Sequence, residues 1–191
     1  MIQPPTLQEP VRARESADQN WRLGKFSGVG YDKGRPWLVQ AAWFAVSNLL
    51  FMAWWFPRRW RPTLLRLFGA EIGTGVFIRH RVRVQWPWKL RIGDDSWVGE
   101  DVWLLNLEPI TLGRDVCLSQ GSFLCTGSHD RHSASFDYDN RPIVVHDQVW
   151  IAAQALVLRG VTVQSNSVVG ARAVVTRDVP AETTLLAGER W

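Results

Sequence analysis

The chain has 191 residues, of which 46% are hydrophobic and 21% charged, and its net charge is +4. This length fits one domain with accessory segments, and the weak positive charge, without a nucleic-acid motif, argues against a nucleic-acid partner. Two cysteines, Cys117 and Cys125, do not suggest a disulfide framework, so we expect a cytoplasmic protein whose cysteines pack rather than react.

The N-terminal part of the chain shows no pattern of a folded element. Residues 1–20 are polar and rich in proline, and they lack the apolar centre of a signal peptide. Gly34, Arg35 and Pro36 then mark a turn. We therefore expect residues 1–36 to form an irregular, mobile arm.

Residues 37–56 are a nearly unbroken apolar run, which we predict to be helical. A second, short helix should begin at Pro62 and end before Gly69, so that residues 37–70 form one helical segment. Three interpretations of the run stay open. It caps the following domain or packs in an oligomer, which we favour. In the second interpretation it lies at the inner face of the cell membrane, and the Trp and Arg side chains of residues 37–61 contact the membrane surface. In the third it spans the bilayer.

A six-residue repeat of aliphatic side chains dominates the rest of the chain. Its fifteen positions are Ile72, Ile78, Val84, Ile92, Val98, Leu104, Leu112, Leu118, Leu124, Val145, Ile151, Val157, Val163, Val169 and Val175. The spacing is broken before Ile92, before Leu112 and, by a longer insertion, before Val145. Neither a helix nor an alternating strand has this period, whereas a parallel β-helix does.

Each six-residue unit can supply one short strand and one corner, and three units make a triangular coil. We predict an all-β fold, a parallel β-helix of about five coils over residues 71–180, followed by a tail over residues 181–191. The coils must fold together, because a single coil cannot bury its inner face. Glycines directly after an aliphatic position, such as Gly93, are expected where the backbone turns. An ordinary β-sandwich is the alternative, but it would not keep one period over fifteen positions.

The long insertion, residues 130–144, interrupts the repeat directly after His129. A long loop that leaves a regular fold is often functional. His129 occupies the last position of its unit, where the side chain should face outward, and a neutral imidazole can accept a proton near pH 7. His129 is therefore our candidate for a general base.

Several segments of the chain are recognisable: YDKGRPW, LLRLFGAEIG, WPWKLRIGDDSWVGEDVWL, LGRDVCLSQGSFLCTGSHD, VWIAAQALVLRGVTV and VVGARAVVTRDVP. Together they resemble the hexapeptide-repeat acyltransferases, more closely the colanic acid biosynthesis acetyltransferase (WcaF-like) family, over nearly the whole chain after residue 30. The resemblance implies a left-handed β-helix and a homotrimer with active sites between subunits. It further implies an acetyl-CoA-dependent O-acetyltransferase without a metal. Its acceptor would be a sugar hydroxyl, free or lipid-linked, in exopolysaccharide or cell-surface polysaccharide biosynthesis.

The resemblance also implies roles for individual residues. In the family the histidine of the TGSHD motif is the catalytic base, and that residue is His129. A polar asparagine in a comparable turn helps to orient the acceptor, and Asn106 is the candidate for this catalytic role. Asp130 and His132 are candidates for substrate binding. The alternatives are that Asp130 caps a turn and that His132 has no role.

For acetyl-CoA, the resemblance implies a groove along the last coils. The residues that align with this groove are Trp150, Ala153, Gly160, Ala171, Thr176 and Arg177. The backbone N–H of Ala153 would meet the thioester, and Arg177, in place of the usual lysine, would supply a cation for phosphate. The glycine and alanines would also suit tight corners without any ligand. The final LLAGERW departs from the family's Asn-Pro-Ala-Lys-type segment, which borders the adenine end of CoA.

Three other functions fit parts of the sequence. An N-acetyltransferase of a nucleotide-linked amino sugar would need the same base and groove. A zinc enzyme of the γ-carbonic anhydrase type would need three histidines, out of His80, His129, His132 and His146, that converge across a subunit interface. A non-catalytic β-helix could serve as a binding platform, because fold alone does not determine function.

Overall fold

The structure, a computed structural model, describes residues 21–188. Residues 1–20 of the predicted arm and residues 189–191 of the predicted tail lie outside the described residues. The described chain has two short helices near its N-terminus, α1 (Trp37–Val46) and α2 (Arg61–Leu67). Sixteen short strands follow: β1 (Glu71–Ile72), β2 (Phe77–Ile78), β3 (Arg83–Val84), β4 (Leu90–Ile92), β5 (Trp97–Val98), β6 (Trp103–Leu105), β7 (Ile110–Leu112), β8 (Cys117–Leu118), β9 (Phe123–Cys125), β10 (Ile143–Val145), β11 (Trp150–Ile151), β12 (Leu156–Leu158), β13 (Thr162–Val163), β14 (Val168–Val169), β15 (Val174–Val175) and β16 (Thr184–Leu185).

The strands wind into a parallel β-helix with three faces. The first face contains β1, β4, β7, β10 and β13, the second β2, β5, β8, β11, β14 and β16, and the third β3, β6, β9, β12 and β15. Strands of successive coils pair in parallel, as shown by Leu104, Leu124 and Val157, which are consecutive partners on the third face. The predicted β-helix is confirmed. The pairing of β16 with β14 extends the solenoid into the segment predicted as a tail.

The core of the solenoid consists of the aliphatic positions of the repeat. All fifteen are buried, with no more than 9% of their surface exposed, because each points into the coil and stacks on its equivalents above and below. Leu185, on β16, adds a sixteenth buried residue of the same kind. Most of the small or β-branched side chains four residues after an aliphatic position are also buried, as at Ser96, Val102 and Ala155.

Each corner of the solenoid has two residues with distinct conformational requirements. The left-handed backbone conformation falls three residues after an aliphatic position, for example at Asp95 with a φ of 55° and Asn166 with a φ of 60°. The glycine directly after the aliphatic position has a different purpose. A Cβ atom on Gly93 would lie 2.5 Å from the backbone carbon of Gly113 on the next coil. These glycines avoid a Cβ clash at the corner, as expected, and permit close stacking of coils, while the positive φ of the corner falls two residues later.

The three interruptions of the repeat share one corner. They fall between β3 and β4, between β6 and β7, and between β9 and β10, and in each case the chain passes from the third face to the first. Because a coil has three sides, an interruption after every third unit returns to the same edge of the solenoid. We call this edge the insertion corner.

The two helices and the turns around them cover the first coil, and we call residues 35–67 the helical cap. Helix α1 continues into a five-residue π-helical segment, Ser47–Phe51, and the predicted short helix after Pro62 is present as α2. The indole of Trp43 is buried and donates to the carbonyl of Val84, while the buried guanidinium of Arg61 donates to Phe51 O at 2.9 Å. One side of the cap is thereby fixed to the solenoid. Within residues 21–188, no helix has the length and apolar character needed to cross a membrane.

Candidate active site

His129 lies at the insertion corner, at the start of a hairpin formed by the inserted loop. His129 and Tyr138 form an antiparallel bridge. On either side of this bridge, Asp139 N donates to Ser128 O at 2.9 Å and Asp130 N donates to Asp137 O at 2.8 Å. The insertion is thus an ordered hairpin, and we call residues 128–139 the inserted hairpin.

The imidazole of His129 is held in a single orientation. Its Nδ1 lies 2.7 Å from the carbonyl oxygen of Phe136, and the Phe136 ring stacks on the imidazole with 4.4 Å between ring centres. Tyr138 also stacks on the imidazole, and Phe26 approaches it edge-on. A carbonyl oxygen can only accept a hydrogen bond, so Nδ1 carries the proton and Nε2 of the neutral ring keeps its lone pair.

The backbone of Phe136 adopts a conformation that is unusual for an aromatic residue. Its φ is 55°, in the left-handed region that bulky side chains seldom occupy. Such strain is maintained only when the surroundings impose it. Here the conformation accompanies a carbonyl directed at Nδ1 of His129 and a ring that covers the same imidazole. Phe136 therefore positions His129, and the sequence alone did not identify it.

The described part of the N-terminal arm packs against the inserted hairpin, in contrast to the predicted mobile arm. Arg22 N donates to Ala134 O at 3.0 Å, and Trp21 lies against Phe136 with 5.6 Å between ring centres. Aromatic residues of the arm thus cover apolar rings that the hairpin would otherwise expose. Phe26, described above, brings this arm into direct contact with the candidate base.

The first interruption of the repeat holds the end of the arm. Trp88 Nε1 donates to Lys33 O at 2.6 Å, and the Lys89 ammonium donates to the carbonyl of Asp32. The Tyr31 hydroxyl is hydrogen bonded to the indole N–H of Trp86. Burial raises the pKa of Tyr31 to about 12, so its phenol is neutral at physiological pH.

Asn106 does not take the catalytic position expected from the family resemblance. Its side chain is fully buried, its Oδ1 accepts from Trp86 N at 3.0 Å, and its Nδ2 donates to Trp86 O at 2.5 Å. Both ends of the amide are used to tie the second interruption of the repeat to the first. We therefore correct the prediction for Asn106, which supports the insertion corner from inside and is inaccessible to an acceptor.

Asp130 and His132 lie in the exposed part of the inserted hairpin. Asp130 Oδ1 accepts from the backbone N–H of His132 at 2.8 Å, which is the turn-capping alternative considered above. The His132 ring accepts from Arg131 Nε at 3.2 Å. Neither side chain is bonded to the His129 imidazole in the structure. Their role in substrate binding stays a prediction.

A partly buried ion pair anchors the inserted hairpin to the next coil. The Asp139 carboxylate accepts from the guanidinium of Arg159, at the end of β12, and from Arg141 Nε at 3.0 Å. The hydrogen bond from Arg159 is the main cause of a lowered pKa at Asp139, and Arg141 adds to it. Asn140 Oδ1 also accepts from Ser128 N at 3.0 Å, directly before His129. These residues fix the base of the hairpin, and the sequence alone gave no sign of it.

Asp139→Asn is expected to loosen the inserted hairpin while the solenoid stays folded, because Arg159 loses its anionic partner. Opening of residues 128–139 should become easier by about 1–2 kcal/mol, which hydrogen exchange of the hairpin amides would measure. Because folding lowers the pKa of Asp139, the stabilisation by its ion pair with Arg159 is fully present above the ordinary carboxyl pKa of about 4. It is lost as the pH falls through the lowered pKa of the folded protein. Asp101→Asn, which breaks the pair with Arg81 on earlier coils, is the matched control. Equal exchange in both variants would contradict the anchoring role.

The residues proposed for the acetyl-CoA groove occupy two corners of the last coils. Ala153 and Ala171 follow β11 and β14 at the corner between the second and third faces, and Arg172 N donates to Ala153 O at 3.0 Å across successive coils. The backbone N–H of Ala153 has no acceptor among residues 21–188. Trp150, on β11, is half exposed, and its indole donates to Ser119 Oγ at 2.8 Å.

The other three groove residues lie on the insertion corner. Gly160 follows β12 with a φ of 77°, a conformation that glycine adopts without strain. Thr176 and Arg177 follow β15 and are exposed. The structure thus separates Ala153 and Ala171 from His129 by the width of the third face. It gathers Gly160, Thr176 and Arg177 at the corner from which the inserted hairpin emerges.

A metal centre finds no support in the described part of the chain. No group of three or more His, Cys, Asp or Glu side chains there could hold a metal ion. His80 Nε2 instead pairs with Glu100 Oε1 at 2.5 Å, and His146 is exposed on a different strand end. The histidines considered for zinc therefore do not converge within one chain.

Comparison with known proteins relates the chain to acetyltransferases. It is 46% identical over 155 residues to the Escherichia coli (strain K12) protein assigned to colanic acid biosynthesis as acetyltransferase WcaF, covering 80% of this chain and 84% of that protein. The chain belongs to the WcaF family of acetyltransferases. No protein-family model matches it.

More distant relatives agree with this membership. The galactoside O-acetyltransferase of Escherichia coli (strain K12) is 24% identical, over 63% of this chain and 61% of that protein. A hexapeptide-repeat acetyltransferase of Vibrio cholerae, solved in complex with acetyl coenzyme A, superimposes with a TM-score of 0.74 at 24% identity. That alignment covers 85% of this chain and 90% of the other, and it shows the shared fold. The chain is thus an acetyltransferase of polysaccharide biosynthesis.

Proposed function

We propose that this WcaF-family member transfers an acetyl group from acetyl-CoA to a sugar hydroxyl, with His129 as general base. The observation that carries the proposal is the hydrogen bond from Nδ1 of His129 to the carbonyl of Phe136, because it leaves Nε2 as the proton acceptor. Solved structures with the same fold contain acetyl-CoA or CoA, which supports the choice of donor.

In the proposed reaction, His129 Nε2 removes the proton of the acceptor hydroxyl while the hydroxyl oxygen forms a bond to the carbonyl carbon of the thioester. The carbon–sulfur bond breaks, and the imidazolium returns the proton to the departing CoA sulfur. Negative charge develops on the carbonyl oxygen during this step. The unpaired backbone N–H of Ala153 is suited to stabilise it, since such donors need no rearrangement during the reaction.

A complete site would require more than one copy of the chain. His129 and Ala153 lie at different corners of the same solenoid, so they cannot meet one thioester carbonyl within a chain. A homotrimer with sites between subunits would bring the insertion corner of one copy to the Ala153 corner of the next. The separation of the two corners supports this assembly, which the family resemblance implies.

We propose a cytoplasmic enzyme whose acceptor is a sugar of a surface polysaccharide, free or carried on a lipid. The partly exposed aromatic wall of Trp21, Phe26 and Tyr138 beside His129 would suit the apolar face of a sugar ring. An N-acetyltransferase of an amino sugar is the second candidate, because the same base and corner would serve an amine. No observation favours the binding-platform alternative.

The proposal is tested with purified full-length protein, acetyl-CoA and paired acceptors that differ only in a hydroxyl or an amino group. Release of the CoA thiol measures transfer, and hydroxylamine treatment separates the product, because it cleaves an acetyl ester but leaves an acetamide. We expect a hydroxylamine-sensitive product. A resistant product formed only on the amino sugar would favour N-acetyl transfer, and the absence of both acetyl-CoA binding and transfer would favour a binding platform.

A further inference from the structure

The outward side of the helical cap combines exposed apolar residues with arginines. Residues 35–67 contain five arginines and no aspartate or glutamate. One of the five, Arg61, is buried and bonded to backbone carbonyls, so it belongs to the structure of the cap. The remaining four, Arg35, Arg58, Arg59 and Arg66, are exposed. The guanidinium of Arg66 donates to Ile72 O at 2.9 Å and to Gly73 O, so Arg35, Arg58 and Arg59 are the arginines available to a partner.

The cap exposes several large apolar side chains. The side chains of Trp37, Phe44, Leu49 and Trp54 are exposed by 71%, 71%, 69% and 80%. Trp43, Ser47 and Phe51, on the opposite side, are the buried residues of the same segment. A water-exposed surface of a monomeric protein seldom presents so many large apolar side chains together, which marks this side as a binding surface.

The exposed arginines line two neighbouring grooves of the helical cap. Arg35 and Arg66 line a groove between α1 and α2 whose walls include Leu38 and Leu67. Arg66 also lines the neighbouring cleft with Arg58 and Arg59. Within the described part of the chain, no carboxylate forms an ion pair with any of these four arginines. The surface is therefore complementary to an apolar partner that carries negative charge at its boundary.

We propose that the helical cap docks on the surface of an anionic phospholipid bilayer. Trp37, Phe44, Leu49 and Trp54 would enter the boundary between head groups and acyl chains, and the arginines would contact lipid phosphates. A second copy of the chain is a poorer partner, because a cap-to-cap contact would bring two sets of unpaired arginines into one interface. The helices are too short to span the bilayer, so the contact is peripheral.

The experiment measures binding of the full-length protein to phosphatidylcholine vesicles with and without phosphatidylglycerol, by flotation. The test variant is Arg58→Gln/Arg59→Gln. The control is Arg91→Gln/Arg114→Gln, which removes the same charge from residues of similar exposure on the solenoid. We expect binding to the anionic vesicles and little change in the control. The test variant should bind about 30-fold more weakly, because each cation near the surface contributes about fivefold.

A second variant, Leu49→Ser/Trp54→Ser, tests the apolar contribution and should also reduce binding, while its exposed positions leave the fold intact. Absence of binding to anionic vesicles, or equal losses in test and control variants, would overturn the proposal. The proposal would also be overturned if the wild-type protein formed dimers in solution and the Leu49→Ser/Trp54→Ser variant did not, because the cap would then bind a second copy of the chain. Acetyl transfer to a soluble sugar, measured on the same preparations, keeps this outcome separate from that of the proposed reaction.

Discussion

His129→Ala is expected to lower the rate of acetyl transfer by about 100- to 10,000-fold, the range typical for loss of a general base. The imidazole is already held with its Nδ1 proton on the carbonyl of Phe136, so wild-type Nε2 needs no rearrangement to accept a proton. The alanine variant lacks this proton acceptor. His132 cannot take its place, because the His132 ring accepts a hydrogen bond from Arg131 in the exposed part of the hairpin.

The matched control for this prediction is His146→Ala, since His146 is exposed and lies on another strand end. Calorimetry with acetyl-CoA should give similar affinities for the wild type and both variants, because none of the proposed groove residues is altered. Undiminished transfer in His129→Ala would place the base elsewhere. Loss of acetyl-CoA binding in His129→Ala would show that the histidine acts in binding rather than in proton transfer.

Leu124→Ala is expected to lower the free energy of unfolding by about 2–5 kcal/mol. Leu124 is completely buried and is stacked between Leu104 on the coil before and Val157 on the coil after. Each coil contacts only its neighbours, so a cavity in the middle coil weakens the coupling between the two ends of the solenoid.

Urea unfolding followed by circular dichroism would measure this change. Val174→Ala, on the same face but with 54% of its side chain exposed, is the control and should cost less than about 1 kcal/mol. A broadened or two-step transition in Leu124→Ala would show that the halves of the solenoid separate. Equal losses in the two variants would contradict the stacked column as the source of stability.

The regular part of the molecule could be predicted because one physical requirement repeats. Every coil must bury an aliphatic side chain per face, so the positions from Ile72 to Val175 carry the same kind of residue. Leu185 escaped prediction because the spacing between it and Val175 is not a multiple of six. The predicted short helix after Pro62 could be identified from ordinary helix-boundary residues.

The site was predictable only in part, because its geometry depends on contacts between segments distant in sequence. His129 could be identified by its place before the insertion and by family resemblance. The roles of Phe136 and Asp139 depend on how the hairpin folds back, and the burial of Asn106 depends on its contact with Trp86. A usable signal was present in the spacing, because three interruptions at every third unit must share one corner.

The shared corner has a consequence for how such an enzyme can change. Each inserted segment leaves the solenoid at the end of a third-face strand and returns at the start of a first-face strand, so its length does not alter the pairing of strands above or below. The entropic cost of lengthening a loop grows slowly with its length. The inserted hairpin can therefore change in length and sequence while the coils that carry the aliphatic core stay unaltered.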